Sequence, residues 1–213
     1  IRERTVSNLM PPRSPKPPSQ TWRTFLKNHM PNMVSMDFFT VPTATFRVLF
    51  GLIILSHSRR QVVHFNVTRC PTDAWAAPQL REATPYGDGP KYLIRDNDDK
   101  FGKRFAAMAE GTEIEVVKIP PRSPNLNPIC ERFLGSVRRE CLDHVVILNE
   151  RQLRQLRRVL KEYVEIYFNR ARPHQGLRQR IPVPKSPSVP RMCEKVVPIP
   201  ILGGLHHDYQ CAA

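Results

Sequence analysis

The 213-residue chain lacks any long hydrophobic run. No stretch approaches the roughly 18 consecutive apolar residues of a membrane span, and the longest, Val48 to Leu55, has the length of a strand. The polar start, Ile1 to Val6, predicts no signal peptide and has no initiator methionine. We therefore expect a cytoplasmic protein without membrane contact, represented here by a fragment of a longer chain.

The sequence also lacks paired cysteines. Its five cysteines, at positions 70, 130, 141, 193 and 211, are scattered and form no Cys-x-x-Cys motif. This pattern predicts reduced thiols rather than a disulfide framework or a zinc site. The only histidine cluster, His206-His207, consists of adjacent residues that point in different directions, so it does not predict a metal site.

Acidic residues are in short supply. There are 19 Asp and Glu against 33 Lys and Arg, which gives a formal net charge of +14 and a sequence pI near 10.1. Such a balance favours a polyanionic partner. Nucleic acid fits better than a membrane surface, because no segment is suited to membrane insertion.

Proline, by contrast, is abundant, with 22 residues, and marks the predicted boundaries of a compact core. Residues 11–32 are predicted to be a basic proline-rich linker, residues 33–178 the core, and residues 179–213 a proline-rich C-terminal extension with a possible small β-hairpin at Gly203-Gly204. Residues 1–10 resemble the end of a helix-turn-helix domain whose beginning is absent.

Within the core, hydrophobic patterning predicts five strands and several helices. The strands are expected at 33–41, 46–56, 61–68, 91–95 and 113–119, the first three as an antiparallel meander. Helices are expected from about 71, shortened or bent by Pro78, at 103–109, around Glu131, and along the apolar stripe from Leu153 to Tyr167. This order predicts an α/β fold with a mixed sheet, and if its first and fourth strands are neighbours, acids at their ends can converge.

Three carboxylates occupy the edges of different predicted elements. Asp37 lies in the first strand, Asp96 ends the fourth, and Glu131 opens a helix. Taken alone, each is an ordinary strand-end or helix-start acid. Together they can converge on a divalent cation such as Mg²⁺, which suits phosphoryl transfer on a polyanion.

Basic residues are concentrated near the C-terminal end of the core. Residues 151–180 carry nine Arg or Lys against two acids, Glu162 and Glu165. An exposed structural face normally mixes both signs, so this imbalance indicates contact with DNA. The candidate DNA-binding residues are Arg132, Arg138, Arg139, Arg154, Arg157, Arg158 and Lys161. For Arg138 and Arg139, a purely surface role is equally open.

The carboxylates and their flanking motifs resemble a known family. Glu131 lies 35 positions after Asp96, and the motifs are Asp37-Phe38-Phe39, Asp96-Asn97, the stretch from Arg122-Ser123-Pro124-Asn125 to Glu131-Arg132, and the run from Phe168-Asn169-Arg170 to Gly176-Leu177. Over roughly residues 20–180 this resembles the DDE catalytic core of retroviral-type integrases and bacterial insertion-sequence transposases. The resemblance implies a ribonuclease H-like fold, with a five-stranded mixed sheet flanked by helices.

One local departure leaves an alternative open. The family commonly has a glycine soon after the second aspartate, whereas this chain reads Asp96-Asn97-Asp98-Asp99. The close backbone approach that glycine allows is then in question. Asp98 is also a rival to Asp96 for the second metal-ligand position.

The resemblance implies a polynucleotidyl transferase that cleaves DNA strands and transfers them. Asp37, Asp96 and Glu131 would hold two Mg²⁺ or Mn²⁺ ions, and the partners would be mobile-element ends and target DNA, bound by a homo-oligomer. The expected setting is a bacterial nucleoid. Two alternatives remain: a structure-directed nuclease of the same fold, and a catalytically inactive DNA-binding remnant.

Overall fold

The computed structural model describes residues 20–84, 89–120, 126–184 and 195–212. The predictions for residues 1–19, for the motif at 122–125 and for Cys193 fall outside these ranges.

A five-stranded mixed sheet forms the centre of the molecule, in the order β3-β2-β1-β4-β5. The strands are β1 (Met33–Pro42), β2 (Val48–Ser56), β3 (Val62–Thr68), β4 (Tyr92–Arg95) and β5 (Glu115–Lys118). β1 to β3 form the predicted antiparallel meander, while β4 runs parallel to both β1 and β5. The predicted mixed sheet is confirmed, and β1 and β4 are neighbours in it.

β1 is buried on both faces, and its side chains point alternately to the two faces of the sheet. The hydrophobic core therefore has one part on each face. Val34 and Met36 pack on one face of the sheet, whereas Phe39 and Val41 pack on the other. Asp37 has the same parity as Phe39 and therefore lies on the second face. This alternation decides which helix can bring a partner to Asp37.

The helices cover both faces of the sheet. They are α1 (Trp22–His29), α2 (Asp73–Ala83), α3 (Lys103–Gly111), α4 (Pro128–Glu140) and α5 (Leu153–Lys161), with α5 continuing as a π-helix over Glu162–Phe168. Short 3₁₀ turns occur at Met30–Asn32, Leu142–His144, Glu150–Gln152, Gln175–Leu177 and Leu202–Gly204. Helices α2 and α3 pack on the Met36 face, whereas α4 and α5 pack on the Phe39 face.

Helix α1 corrects part of the linker prediction. Thr21 caps it by accepting a hydrogen bond from the Thr24 N–H, and its apolar side chains contact Met33, Tyr92, Ile94 and Ile119 on the sheet. The proline-rich composition of the preceding residues obscured this short amphipathic segment. Residues 21–29, assigned to the linker by the sequence, therefore pack on the sheet.

Two other helices differ from expectation in detail. Pro78 lies inside α2 without ending it, because Ala76, Ala77 and Leu80 are buried against the sheet and offset the missing hydrogen bond. The long C-terminal helix widens to π geometry after Lys161. Its buried stripe accordingly passes through Leu156 and Leu160 and then through the residues Tyr163, Val164 and Phe168.

A two-stranded hairpin, β6 (Val196–Ile201) and β7 (His206–Cys211), packs against the π segment. Gly203 and Gly204 at its turn have φ angles of 66° and 97°, which glycine adopts without strain. The His206 ring stacks on Tyr167 with centroids 3.8 Å apart.

The hairpin also corrects the prediction that all the thiols are reduced. Cys211, paired opposite Val196, is disulfide-bonded, whereas Cys70, Cys130 and Cys141 are free. The spacing of the cysteines in the sequence does not predict this disulfide bond. The position of Cys211 depends instead on the pairing of β6 with β7.

Candidate active site

The parallel pairing of β1 with β4 determines the position of two carboxylates. Ser35 lies opposite Ile94 in this pair, so Asp37 and Asp96 each follow two residues further along neighbouring strands. Both carboxylates are partly buried at this end of the sheet. The expected convergence of the first two acids is therefore a consequence of strand register.

Glu131 reaches the same region from helix α4. Pro128 occupies the first turn, where its missing N–H costs no hydrogen bond, and Asn127 stands at the N-cap position. Glu131 follows in that first turn and is exposed. Its charge acts on Asp37, which places the third acid within electrostatic range of the first.

The electrostatics of Asp37 reflect this crowding. Burial, followed by the charge of Asp96, raises the pKa of Asp37 to about 7, and Glu131 and Asp98 add to the effect. Burial and the nearby Asp98 carboxylate also raise the pKa of Asp96. The site therefore concentrates negative charge that no neighbouring cation neutralises fully, which is the arrangement expected of a cation site.

Asp98, the rival for the second position, is already paired with Lys100. Its Oδ1 accepts the Lys100 N–H at 2.9 Å, and its Oδ2 accepts from the Lys100 ammonium. Although burial acts in the opposite sense, these bonds lower the pKa of Asp98. In contrast, Oδ1 of Asp96 is buried and accepts no hydrogen bond within the described part of the chain. Asp96 therefore has one buried oxygen available as a metal ligand, whereas both oxygens of Asp98 are bonded to Lys100.

The missing glycine leaves no strain in the backbone. The non-glycine residues with positive φ in the described ranges are Phe46, Arg60, Glu113, Arg178, Gln179 and Leu202. None belongs to the run from Asp96 to Asp99. The turn after β4 therefore has no left-handed position that would require glycine.

The side chains fit a divalent cation chemically, although they are not yet arranged around one. Within the described ranges, no group of three or more His, Cys, Asp and Glu side chains is positioned to hold a metal ion. Even so, the unsatisfied buried oxygen of Asp96 and the all-oxygen donor set suit Mg²⁺ or Mn²⁺. Small rotations of Asp37, Asp96 and Glu131 would be needed to close the set.

Two residues that the sequence does not single out border the carboxylates. Cys130 is fully buried beside Asn127, and burial, with Asp37 next, raises its thiol pKa well above the ordinary value. Arg95 donates from Nη1 to the Asp96 carbonyl at 2.7 Å while its guanidinium lies over the rings of Phe101 and Phe105. Cys130 thus contributes a buried, uncharged thiol near Asp37. Arg95 stabilises the backbone at Asp96 through its hydrogen bond.

The predicted DNA-binding residues fall into separate places. Arg132 lines a cavity beside the start of α4, whereas Arg138 and Arg139 lie in its last turn. Arg138 donates weakly to the Thr40 carbonyl at 3.5 Å. The exposed residues of α5 lie near β3, two strands from β1; they are Arg154, Arg157, Arg158 and Lys161. They form a surface distinct from the carboxylates.

Comparison with known proteins identifies the architecture. Residues 112–182 match the family described as Integrase core domain, which covers β5, α4, α5 and Glu131. A chain of the simian T-cell lymphotropic virus intasome, solved in complex with PP2A regulatory subunit B56 gamma, superposes with a TM-score of 0.55 at 14% identity over 85% of this chain and 67% of that one.

The catalytic domain of Mos1 mariner transposase gives a TM-score of 0.55 at 14% identity, over 68% of this chain and 74% of that domain. The chain has the fold of integrase and transposase cores. The same Mos1 domain solved with raltegravir and Mg gives 0.54 at 14% identity, over 68% and 76% of the two chains.

The resemblance inferred from the motifs is thus confirmed, as is the ribonuclease H-like mixed sheet. No curated protein matches the integrase-like chain significantly by sequence. In the described ranges, no helix is long and apolar enough to cross a membrane.

Proposed function

We propose that this chain is the catalytic core of a DNA transposase or integrase, a DDE-type polynucleotidyl transferase that cleaves DNA strands and joins 3′-hydroxyl ends to target DNA. The proposal is supported by the electrostatic proximity of Asp96 and Glu131 to Asp37, on a fold similar to those of an intasome chain and a transposase catalytic domain. Asp37 and Asp96 repel each other and are partly buried, an arrangement that a metal-binding role explains and that DNA binding alone does not require.

Asp37, Asp96 and Glu131 would hold the metal ions, Mg²⁺ or Mn²⁺ and two in number by resemblance to the family. Metal ions held by these residues would supply activation of a water or 3′-hydroxyl nucleophile and stabilisation of the leaving oxygen. The Mos1 catalytic domain, which has a similar fold, was solved with Mg.

The chain's own groups prepare this site in three ways. The Phe38 N–H donates to Oδ1 of Asp37 at 2.7 Å, which fixes that carboxylate and leaves Oδ2 free. Burial and the neighbouring acids raise the pKa of Asp37 to about 7, so this carboxyl keeps a proton up to about that pH when no cation is bound. The buried Cys130 thiol excludes water beneath the acids without adding charge.

DNA is the proposed substrate because of charge and fold together. The net charge of +14 supplies attraction to phosphate backbones without sequence preference. Recognition of mobile-element ends and assembly as a homo-oligomer on DNA are further parts of this proposal, supported by the similarity to an intasome chain.

A joining assay tests the proposal. The chain is incubated with Mg²⁺ or Mn²⁺, a supercoiled plasmid and a duplex oligonucleotide labelled on the strand that carries a free 3′-hydroxyl. We expect label to become covalently attached to the plasmid in a metal-dependent reaction. A matched oligonucleotide ending in a 3′-deoxynucleotide should give no attachment, since it lacks the nucleophile.

The assay separates the alternatives directly. Plasmid nicking without attachment of label would identify a nuclease and contradict the strand-transfer proposal. Retarded migration of plasmid with neither nicking nor attachment, in both metals, would identify a DNA-binding remnant.

A further inference from the structure

A second candidate site is a basic cavity of about 420 Å³ on the Phe39 face, lined in part by the first turns of α4, the helix that carries Glu131. Leu55 of β2, the start of α4 and the segment after the π-helix surround it. Its floor is apolar, formed by Phe133 and Phe168, and its rim carries Arg60, Arg132 and two glutamines. A cavity of this size exceeds a single phosphate and admits the sugar attached to it.

Two guanidinium groups at the rim are not neutralised. Within the described residues, neither Arg60 nor Arg132 forms a salt bridge or a side-chain hydrogen bond, whereas Arg172, also on the lining, is held by Glu140 at 2.6 and 2.8 Å. Arg60 is partly buried and within electrostatic range of Arg132. Two like charges placed together without a counter-charge favour an anion between them.

The chain holds Arg60 in place by a specific contact. Its guanidinium lies against Gly176, where an added Cβ would come within 1.8 Å of Nη1. Arg60 itself has a φ of 54°, and Arg178 and Gln179, in the turn on the opposite rim, have φ angles of 55° and 62°. Left-handed non-glycine residues cost energy and are concentrated at ligand clamps.

A buried histidine fixes that strained turn. Nε2 of His174 lies 3.1 Å from the Phe168 carbonyl, which can only accept, and the Arg180 carbonyl accepts from the His174 N–H at 3.1 Å. The His174 carbonyl also accepts from the Gln179 N–H at 3.0 Å. These hydrogen bonds fix the turn that carries the Gly176 rim of the cavity, as preorganised anion recognition requires.

We propose that the Arg60–Arg132 cavity binds a backbone phosphate of the DNA strand near the carboxylates. Arg132 follows Glu131 directly on α4, so the cavity and the proposed metal site share the first turns of one helix. This inference rests on the proposed function in taking DNA as the substrate. Its role is positioning, since neither arginine contacts the carboxylates.

Two variants test the site by different routes. Arg60→Gln removes the charge, whereas Gly176→Ala keeps every charge and displaces the Arg60 guanidinium through the new Cβ. Lys103→Gln, on exposed α3 at the opposite face of the sheet, is the control for removal of one charge. Circular dichroism and the thermal midpoint check that each variant folds.

The first measurement is duplex DNA binding by fluorescence anisotropy in EDTA, which does not depend on catalysis. We expect about a fivefold to tenfold decrease in affinity at 0.1 M salt in Arg60→Gln and in Gly176→Ala, the amount expected for one phosphate contact. Lys103→Gln should bind within about twofold of the parent.

The second measurement is the rise in thermal midpoint on adding inorganic phosphate at constant ionic strength, with chloride as the reference. We expect a rise for the parent and for Lys103→Gln, and none for Arg60→Gln or Gly176→Ala. A phosphate response combined with unchanged DNA affinity in the variants would mean a free-anion site and would overturn the DNA assignment.

Two other results would also overturn the proposal: parental DNA affinity in Gly176→Ala, or an equal decrease in Lys103→Gln. Because no metal is present, failure here would leave the proposed strand-transfer activity untouched, and failure of the joining assay would leave this binding result standing.

Discussion

At the scale of single residues, the buried contact between Ser35 and His57 connects the stability of the sheet to pH. His57 is 2% exposed, and its Nε2 contacts the Ser35 Oγ. Burial, followed by the charge of Arg60, lowers the pKa of His57 to about 4. Below the ordinary pKa of 6.5, the unfolded chain therefore takes up a proton that the folded chain resists.

We expect the free energy of unfolding to decrease as the pH falls from 6.5 through about 4, by up to about 3 kcal/mol from this residue. His57→Gln should lack this component, because glutamine does not titrate. Urea denaturation between pH 4 and 8 measures it. His207→Gln, at an exposed histidine, is the control and should keep the parental pH dependence. An unchanged profile in His57→Gln would contradict the assignment.

The sequence predicts which three carboxylates form the proposed site, but it does not predict the residues that contact them. Asp37, Asp96 and Glu131 can be chosen because acids are unusual at strand ends in this order and spacing. The choice between Asp96 and Asp98 requires the Lys100 contact, which depends on a turn conformation that the sequence does not specify. For Cys130 the sequence predicts only a reduced thiol, since nothing local shows that it lies under the acids.

At the scale of elements, helix α5 presents a basic surface separate from the site. Its apolar residues Leu156 and Leu160 are buried, and its cations are exposed near β3. Arg157 already makes a hydrogen bond to β3, since its Nη2 donates to Oδ1 of Asn66 at 2.7 Å. The remaining cations have no such strong bond to the sheet among the described residues.

Replacing these cations together should flatten the dependence of DNA affinity on salt. The slope of log affinity against log salt should fall by about 0.9 for each phosphate that the variant no longer binds. Alanine preserves the helix, so the change reports charge alone. Anisotropy titrations over a range of NaCl concentrations measure the slope for the combined variant Arg154→Ala, Arg157→Ala, Arg158→Ala and Lys161→Ala.

A control of equal charge removes four cations from other regions: Arg81, Lys91, Lys103 and Arg104. An equal flattening in both combined variants would show that only net charge matters and would return α5 to a structural role. A larger effect in the α5 variant would support a defined DNA surface.

Elements are predicted well where periodicity is strong. All five core strands lie within about two residues of their predicted ends, because alternating and continuous apolar runs report burial directly. Helix α1 is not predicted, because eight residues beside a proline-rich stretch give a weak pattern. The π geometry after Lys161 cannot be foreseen, since it depends on how Tyr163, Val164 and Phe168 fit the core.

At the scale of the whole molecule, the parallel pairing of β1 with β4 places Asp37 and Asp96, which are far apart in sequence, at the same end of the sheet. Sequence order alone makes convergence possible, and the strand register makes it specific. The net charge of +14 contrasts with the small acidic centre around Asp37. This contrast is consistent with metal-dependent chemistry on a polyanion.

The most direct test of the proposed site is the initial rate of Mg²⁺-dependent plasmid cleavage by the parent and by four single variants. Asp37→Asn, Asp96→Asn and Glu131→Gln should each fall below about 1% of the parental rate, because each removes a proposed metal ligand with little change in shape. Asp98→Asn should keep most of the activity, since Asp98 is paired with Lys100. Parental rates in any of the first three variants, or an inactive Asp98→Asn alongside an active Asp96→Asn, would contradict the proposed site.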